Sequence, residues 1–190
     1  MGAIIIVAIV SVGLLSAEER LGVYVCNYGK VSASGLARAK AETEAVFLSS
    51  AVRIEWRSCD ENPLARDAGG RWLLLRLRSD RPPAKAGTSS LDDMGRAFIA
   101  EDGGYIADAY FRAIQDHARG HQADAGRILG QVMAHELGHL LLGPGHSRNS
   151  IMRAQWTLGE LTGLHQRWMT FDQSQREIIL RNLRATGGSE

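Results

Sequence analysis

Apolar residues fall along this chain in short runs of strand character and longer stretches of helical period, and their order predicts an α/β (α+β) fold. Leu21 to Tyr28 reads as a strand. Ser32 to Ser49 reads as a helix, with Leu36, Ala39, Thr43, Val46 and Phe47 on one face and Ser32 or Ser34 as its cap. Val52 to Trp56 and Trp72 to Leu77 read as strands separated by a Pro/Gly-bearing loop, so a βαβ unit opens the domain. Ser79 to Met94 reads as loop, and Arg96 to Ala100 and Tyr105 to Phe111 are strand candidates around Asp102-Gly103-Gly104. A second helix spans Ala125 to Leu142, capped by Asp124, with Ile128, Leu129, Val132, Met133 and Leu137 on its buried side. A last helix, Asp172 to Arg184, buries Ile178, Ile179 and Leu183.

The amino terminus has no such period. Gly2 to Leu15 is apolar without a charged side chain and is followed by Ser16, Ala17 and then Glu18-Glu19-Arg20. It is short for a membrane span of ~20 residues and fits a signal-peptide core, with cleavage after Ala17. An uncleaved anchor or a buried first strand is the alternative. Residues 1–17 are therefore expected to be a signal peptide and residues 18–190 a single domain, secreted or periplasmic, with no stable membrane association after cleavage. In an exported chain the two cysteines, Cys26 and Cys59, read as one disulfide tying the ends of neighbouring strands. The chain has 190 residues, 45% hydrophobic and 23% charged, which suits one globular core, and its net charge of +1 gives no case for a nucleic-acid partner.

The chemistry concentrates between Gln131 and Ser147, QVMAHELGHLLLGPGHS. His135 and His139 are four apart on the predicted helix, so both imidazoles reach one cation, and Glu136 stands one step round beside its open side. Neutral imidazoles are good ligands for Zn²⁺, and a catalytic zinc keeps three protein ligands with a fourth position for water. A third ligand is expected where the helix breaks. Gly143, Pro144 and Gly145 break it directly before His146, which is the expected third ligand. Glu136 is then placed to accept a proton from the attacking water as general base and to return it to the leaving group as acid. The bland alternative is a helix that carries polar residues by coincidence.

With Ser150-Ile151-Met152-Arg153-Ala154 following, this pattern resembles the metzincin metalloproteases, and the helix also resembles that of small bacterial secreted proteins with a HELGHLLLG stretch. The metzincin pattern is HExxHxxGxxH, whereas here the glycine and third histidine each come one residue late, the extra residue lying among Leu140, Leu141 and Leu142. One more helical residue adds about 1.5 Å and about 100° of rotation, so the Gly143 to Gly145 turn has to compensate for His146 to reach the metal. The resemblance implies a twisted mixed sheet with two long helices, a zinc helix, a methionine-containing turn with Met152 under the metal, and a C-terminal helix. It further implies an edge strand, here Gly95 to Ala100, that pairs with extended peptide or protein substrate.

Other residues compete for roles. Glu160, 21 residues after His139, is the alternative third ligand. His117 and His121 in HARGH are also four apart but lack a carboxylate and read as surface residues. Asp92, Asp93, Glu101 and Asp102 read as solvated acids rather than calcium ligands, and Trp156 serves equally as pocket wall or core. The expected function is that of a zinc metalloendopeptidase; the alternatives are a non-peptidase zinc amidohydrolase and a non-catalytic, zinc-stabilised binding module.

Overall fold

The computed structural model describes residues 18–61, 72–80, 94–99, 105–157, 159 and 169–187. The expected leader at residues 1–17, the acidic residues Asp92, Asp93, Glu101 and Asp102, and Glu160 lie outside the described residues.

Strands β1 (Glu19–Asn27), β2 (Val52–Ser58), β3 (Trp72–Arg78), β4 (Gly95–Phe98) and β5 (Ile106–Tyr110) form one mixed sheet in the order β2-β1-β3-β5-β4. The first four in that order are mutually parallel, and β4 runs antiparallel to β5 along the edge. Strand β3 alternates, with Leu73, Leu75 and Leu77 fully buried towards the helices. In β1, by contrast, Leu21 to Cys26 are buried without a break, because the outer face is covered too: the Trp72 ring lies over Gly22 and against Tyr24, 4.9 Å between centroids.

Helix α1 (Ala33–Leu48) is capped by Ser32, whose Oγ accepts from the Gly35 N–H at 3.2 Å. It packs against α3 (Ala125–Leu142), which Asp124 caps by accepting from the N–H groups of Gly126 and Arg127. Between Ile128 and Leu141 every residue of α3 is buried, polar ones included. This helix is enclosed by α1, by β4 and β5 and by the C-terminal helix α4 (Gln173–Gly187), so it is the centre of the core rather than a surface helix with one apolar stripe. One element departs from the sequence reading: His117 and His121 belong to a regular helix, α2 (Phe111–His121), that begins where β5 ends. Only Ile114 and Ala118 of α2 are buried and no side chain caps its start; its amphipathic spacing was present in the sequence, but no cap or break sets it apart from the strand before it.

Cys26 at the end of β1 is joined to Cys59 in the turn after β2, as the sequence suggested, with Cα atoms 5.0 Å apart. The bridge closes a loop of 33 residues around α1, which in the chain-entropy description contributes about 3–4 kcal/mol by restricting the unfolded state. Substituting both cysteines by serine is expected to lower unfolding free energy by about that amount in a denaturant titration; a loss below about 1 kcal/mol would show that the sheet needs no staple.

Candidate metal centre

His135 and His139 project from one face of α3, and the chain after the helix folds back to bring His146 to them. One ligand atom from each of the three imidazoles lies within 4.8 Å of the others, and no other such group of three occurs among the described residues. The Nε2 atoms of His135 and His139 are 3.0 Å apart. Two nitrogens bound to a tetrahedral zinc at about 2.0–2.1 Å lie about 3.3 Å apart, so the His135–His139 pair has the spacing of two zinc ligands, with His146 within 4.8 Å.

The other side of each ring is fixed by the backbone. Nδ1 of His135 donates to the Ile151 carbonyl at 2.7 Å and Nδ1 of His139 to the Gly143 carbonyl at 3.2 Å. A carbonyl can only accept, so Nδ1 carries the proton in both rings and the Nε2 lone pairs face inward. Burial drives the pKa of His135 down to about 3, with neighbouring His139 adding to the effect; burial likewise lowers His139. Both imidazoles are thus neutral, the form that binds metal.

The extra residue before the glycine is accommodated by the turn. Helix α3 runs to Leu142, the Gly143 N–H closes it on the His139 carbonyl at 2.9 Å, and Gly143 itself takes φ 92°, a region side-chain-bearing residues avoid. From there the chain swings His146 back, its ring 5.5 Å from that of His135 and 5.0 Å from that of His139. His146 is exposed while the other two ligand candidates are buried, which leaves the cluster open on that side.

Beneath the histidines lies a tight loop. Ser147 N–H donates to the Met152 carbonyl at 2.9 Å, and the buried Ser150 hydroxyl accepts from the Met152 N–H at 3.1 Å and meets the Ser147 hydroxyl at 2.6 Å. The loop delivers two things: the Ile151 carbonyl that orients His135, and the Met152 thioether against Gly138, between the two helical histidines. Trp156 is core, buried with its ring edge-on to His135 and its Nε1–H also donating to the Ile151 carbonyl at 3.2 Å. Sequence reasoning missed Ser150 and the Ile151 carbonyl, because a backbone acceptor leaves no mark in a sequence.

Glu136 occupies the same helix turn, fully enclosed, with its carboxylate against β4. It accepts a hydrogen bond from the Ala97 backbone. Burial pushes its pKa up to about 8, the Asp108 carboxylate adds to the rise, and the Ala97 bond opposes it. His117 and His121 lie 4.5 Å apart between ring centroids on α2, their planes tilted by 59°, and no third metal-binding side chain joins them among the described residues.

Two expectations follow from these contacts. A Cβ at Gly138 would stand 2.5 Å from Met152 Sδ and 2.8 Å from the Phe171 ring, so Gly138→Ala should lower stability by about 1–3 kcal/mol through overpacking, read as a shifted denaturation midpoint. In the metal-free protein, Glu136 keeps its proton from its ordinary value of 4.5 up to about 8 while the unfolded chain ionises. As pH rises through that window, wild type should therefore lose stability relative to Glu136→Gln, and the difference should level off above it. Parallel melting curves against pH in chelator, with no divergence, would show that Glu136 is not held neutral.

No family model and no curated protein matches the chain in sequence. Among solved structures it is similar to the archaemetzincin of Methanopyrus kandleri, at 18% identity over 90% of this chain and 99% of that one, with a TM-score of 0.55. It is also similar to metalloproteinase-II of Bacteroides fragilis, at 11% identity over 87% of this chain and 54% of that one, with a TM-score of 0.52. The chain thus spans about half the length of the second protein. With a five-stranded mixed sheet and the buried histidine-bearing helix on its inner face, the chain shares the fold of the archaemetzincin.

Proposed function

We propose that this protein is a secreted zinc-dependent endopeptidase. The observation that carries the reading is the convergence of three imidazoles within 4.8 Å with a buried carboxylate on the same helix. His135, His139 and His146 would hold the ion. Zinc at that point supplies Lewis acidity towards a peptide carbonyl and lowers the pKa of a coordinated water towards ~7. Glu136 takes the proton from the attacking water and returns it to the leaving amine. Burial alone keeps Glu136 protonated near neutral pH, but a dication next to it favours the carboxylate, so the base becomes competent when the ion is present.

The edge of β4 supports peptide binding. It is the outermost strand on its side of the sheet, antiparallel to β5, and directly adjoins Glu136, so an extended substrate pairing with it would run past the ion. Met152 is the methionine of a metzincin-like turn in this reading, a non-ligand floor beneath Gly138. Export is supported by the apolar Gly2 to Leu15 stretch and by the Cys26–Cys59 bridge. Among the described residues no helix is long and apolar enough to cross a membrane.

The test uses the chain from Glu18 onward, assayed for bound zinc and for cleavage of an unfolded protein. Wild type should hold about one zinc per chain and lose cleavage to a chelator, with recovery on adding zinc. Glu136→Gln should keep zinc while activity drops about 100- to 10,000-fold. His146→Ala should weaken zinc by more than the roughly 10- to 100-fold that loss of a ligand's supporting partner causes. Full activity in Glu136→Gln would overturn the mechanism, and full zinc and activity in His146→Ala would move the third ligand to Glu160.

A further inference from the structure

We propose that Gly95 is a positioning residue for Glu136: its bare Cα lets the edge strand hold the carboxylate in its working orientation. The proposal rests on the reading of Glu136 as general base and goes beyond it by assigning the strand a part in the proton transfer. A Cβ built on Gly95 would stand 2.3 Å from Glu136 Oε1, 2.6 Å from Cγ and 2.7 Å from Cδ. Real Cβ atoms do not approach other atoms so closely, so any larger residue must displace the side chain. Glu136 has little room to yield, since it is 6% exposed and the α3 backbone carrying it is enclosed on every side.

The strand also supplies the carboxylate with a donor. Tyr110 N–H donates to the Met94 carbonyl at 2.8 Å, and Arg96 and Phe98 stand opposite Asp108 and Ile106. In an antiparallel ladder the hydrogen-bonding residues alternate, so Met94, Arg96 and Phe98 direct their backbone groups to β5 while Gly95 and Ala97 turn theirs outward. The outward Ala97 N–H is the one that Glu136 accepts. Steric access at position 95 and a backbone donor at position 97 therefore fix the carboxylate from the same strand. The side-chain direction at position 95 points at Glu136 and not along the open edge, so an added methyl does not cover the outward backbone groups of Gly95, which a peptide could still pair with.

Gly95→Ala should lower kcat at least about 100-fold with KM within about twofold of wild type and zinc content unchanged, since displacing a catalytic group by about 1 Å is enough for such a loss. A strand that merely needed glycine for its own conformation would instead lose substrate affinity or stability without this split. The melting temperature of the zinc-loaded protein provides a second reading: Gly95→Ala should lower it in wild type and leave it unchanged in a Glu136→Ala background, where the colliding carboxylate is gone. If Gly95→Ala does not fold, folding of the Gly95→Ala/Glu136→Ala pair supports the contact, and its failure to fold overturns it. A kcat within about twofold of wild type, a raised KM with kcat kept, or equal melting losses in both backgrounds also overturns the proposal. Should wild type cleave no peptide, or Glu136→Gln remain active, the general-base reading fails by itself, and the melting comparison still reports the Gly95–Glu136 contact.

Discussion

A helix carrying two imidazoles and a carboxylate lies at the centre of this fold, buried along nearly its whole length, and the rest of the structure answers that constraint. Polar side chains taken from water without partners would cost several kcal/mol each, so each needs a partner brought by some other element. The 147–153 loop brings the Ile151 carbonyl to His135, the helix terminus brings the Gly143 carbonyl to His139, and the edge strand brings the Ala97 N–H to Glu136. Neighbouring helices anchor the scaffold in the same way: Thr43 of α1 donates to the Gly130 carbonyl at 3.0 Å, and Asn182 of α4 donates to the Leu141 carbonyl at 2.8 Å. The parts that hold α3 in place are also the parts that orient its functional groups.

Much of this was legible in the sequence, where the physics is local. Strong runs such as Leu21 to Cys26, the Ser32 and Asp124 caps and the Ile128, Leu129, Val132, Met133, Leu137 face gave β1, α1 and α3 within a residue or two of their observed ends. The disulfide was readable because two cysteines leave one possible pairing. Helix α2 was not read, although Phe111, Ile114 and Ala118 recur on one face, because no capping residue marks its start and it follows β5 without a break. At the site, spacing alone brought out His135, Glu136 and His139, and the glycine break pointed to His146. The groups that orient them are backbone atoms of Ile151, Gly143 and Ala97, which any residue type would supply equally well.

The extra residue between His139 and Gly143 illustrates how sequence spacing and spatial geometry come apart. A helix extended by one residue leaves in a direction rotated by about 100°, which would carry the next ligand away from the ion. Here the turn contains two glycines of positive φ, Gly143 at 92° and Gly145 at 158°, and the chain after it returns His146 to within 5.5 Å, ring to ring, of His135. Proline could not have done this and most side chains would be strained there, so the insertion and the glycines form one feature.

Burial would also make a metal-holding site depend on its ion. Without a cation the favoured state has neutral His135 and His139 and a protonated Glu136, groups that a nonpolar interior tolerates. A dication held by the three imidazoles would bring net positive charge into that interior, and the nearest enclosed group able to offset it is the Glu136 carboxyl, through loss of its proton. Metal uptake and ionisation of Glu136 would therefore be coupled: the carboxylate would stabilise the buried ion, and the ion would lower the pKa that burial raises, so that the proton-accepting form exists at neutral pH. Exposed acids would ionise regardless of the metal. A carboxyl enclosed as Glu136 is, against a strand that leaves it little room to turn towards water, would make the proton-accepting state conditional on a metal being bound.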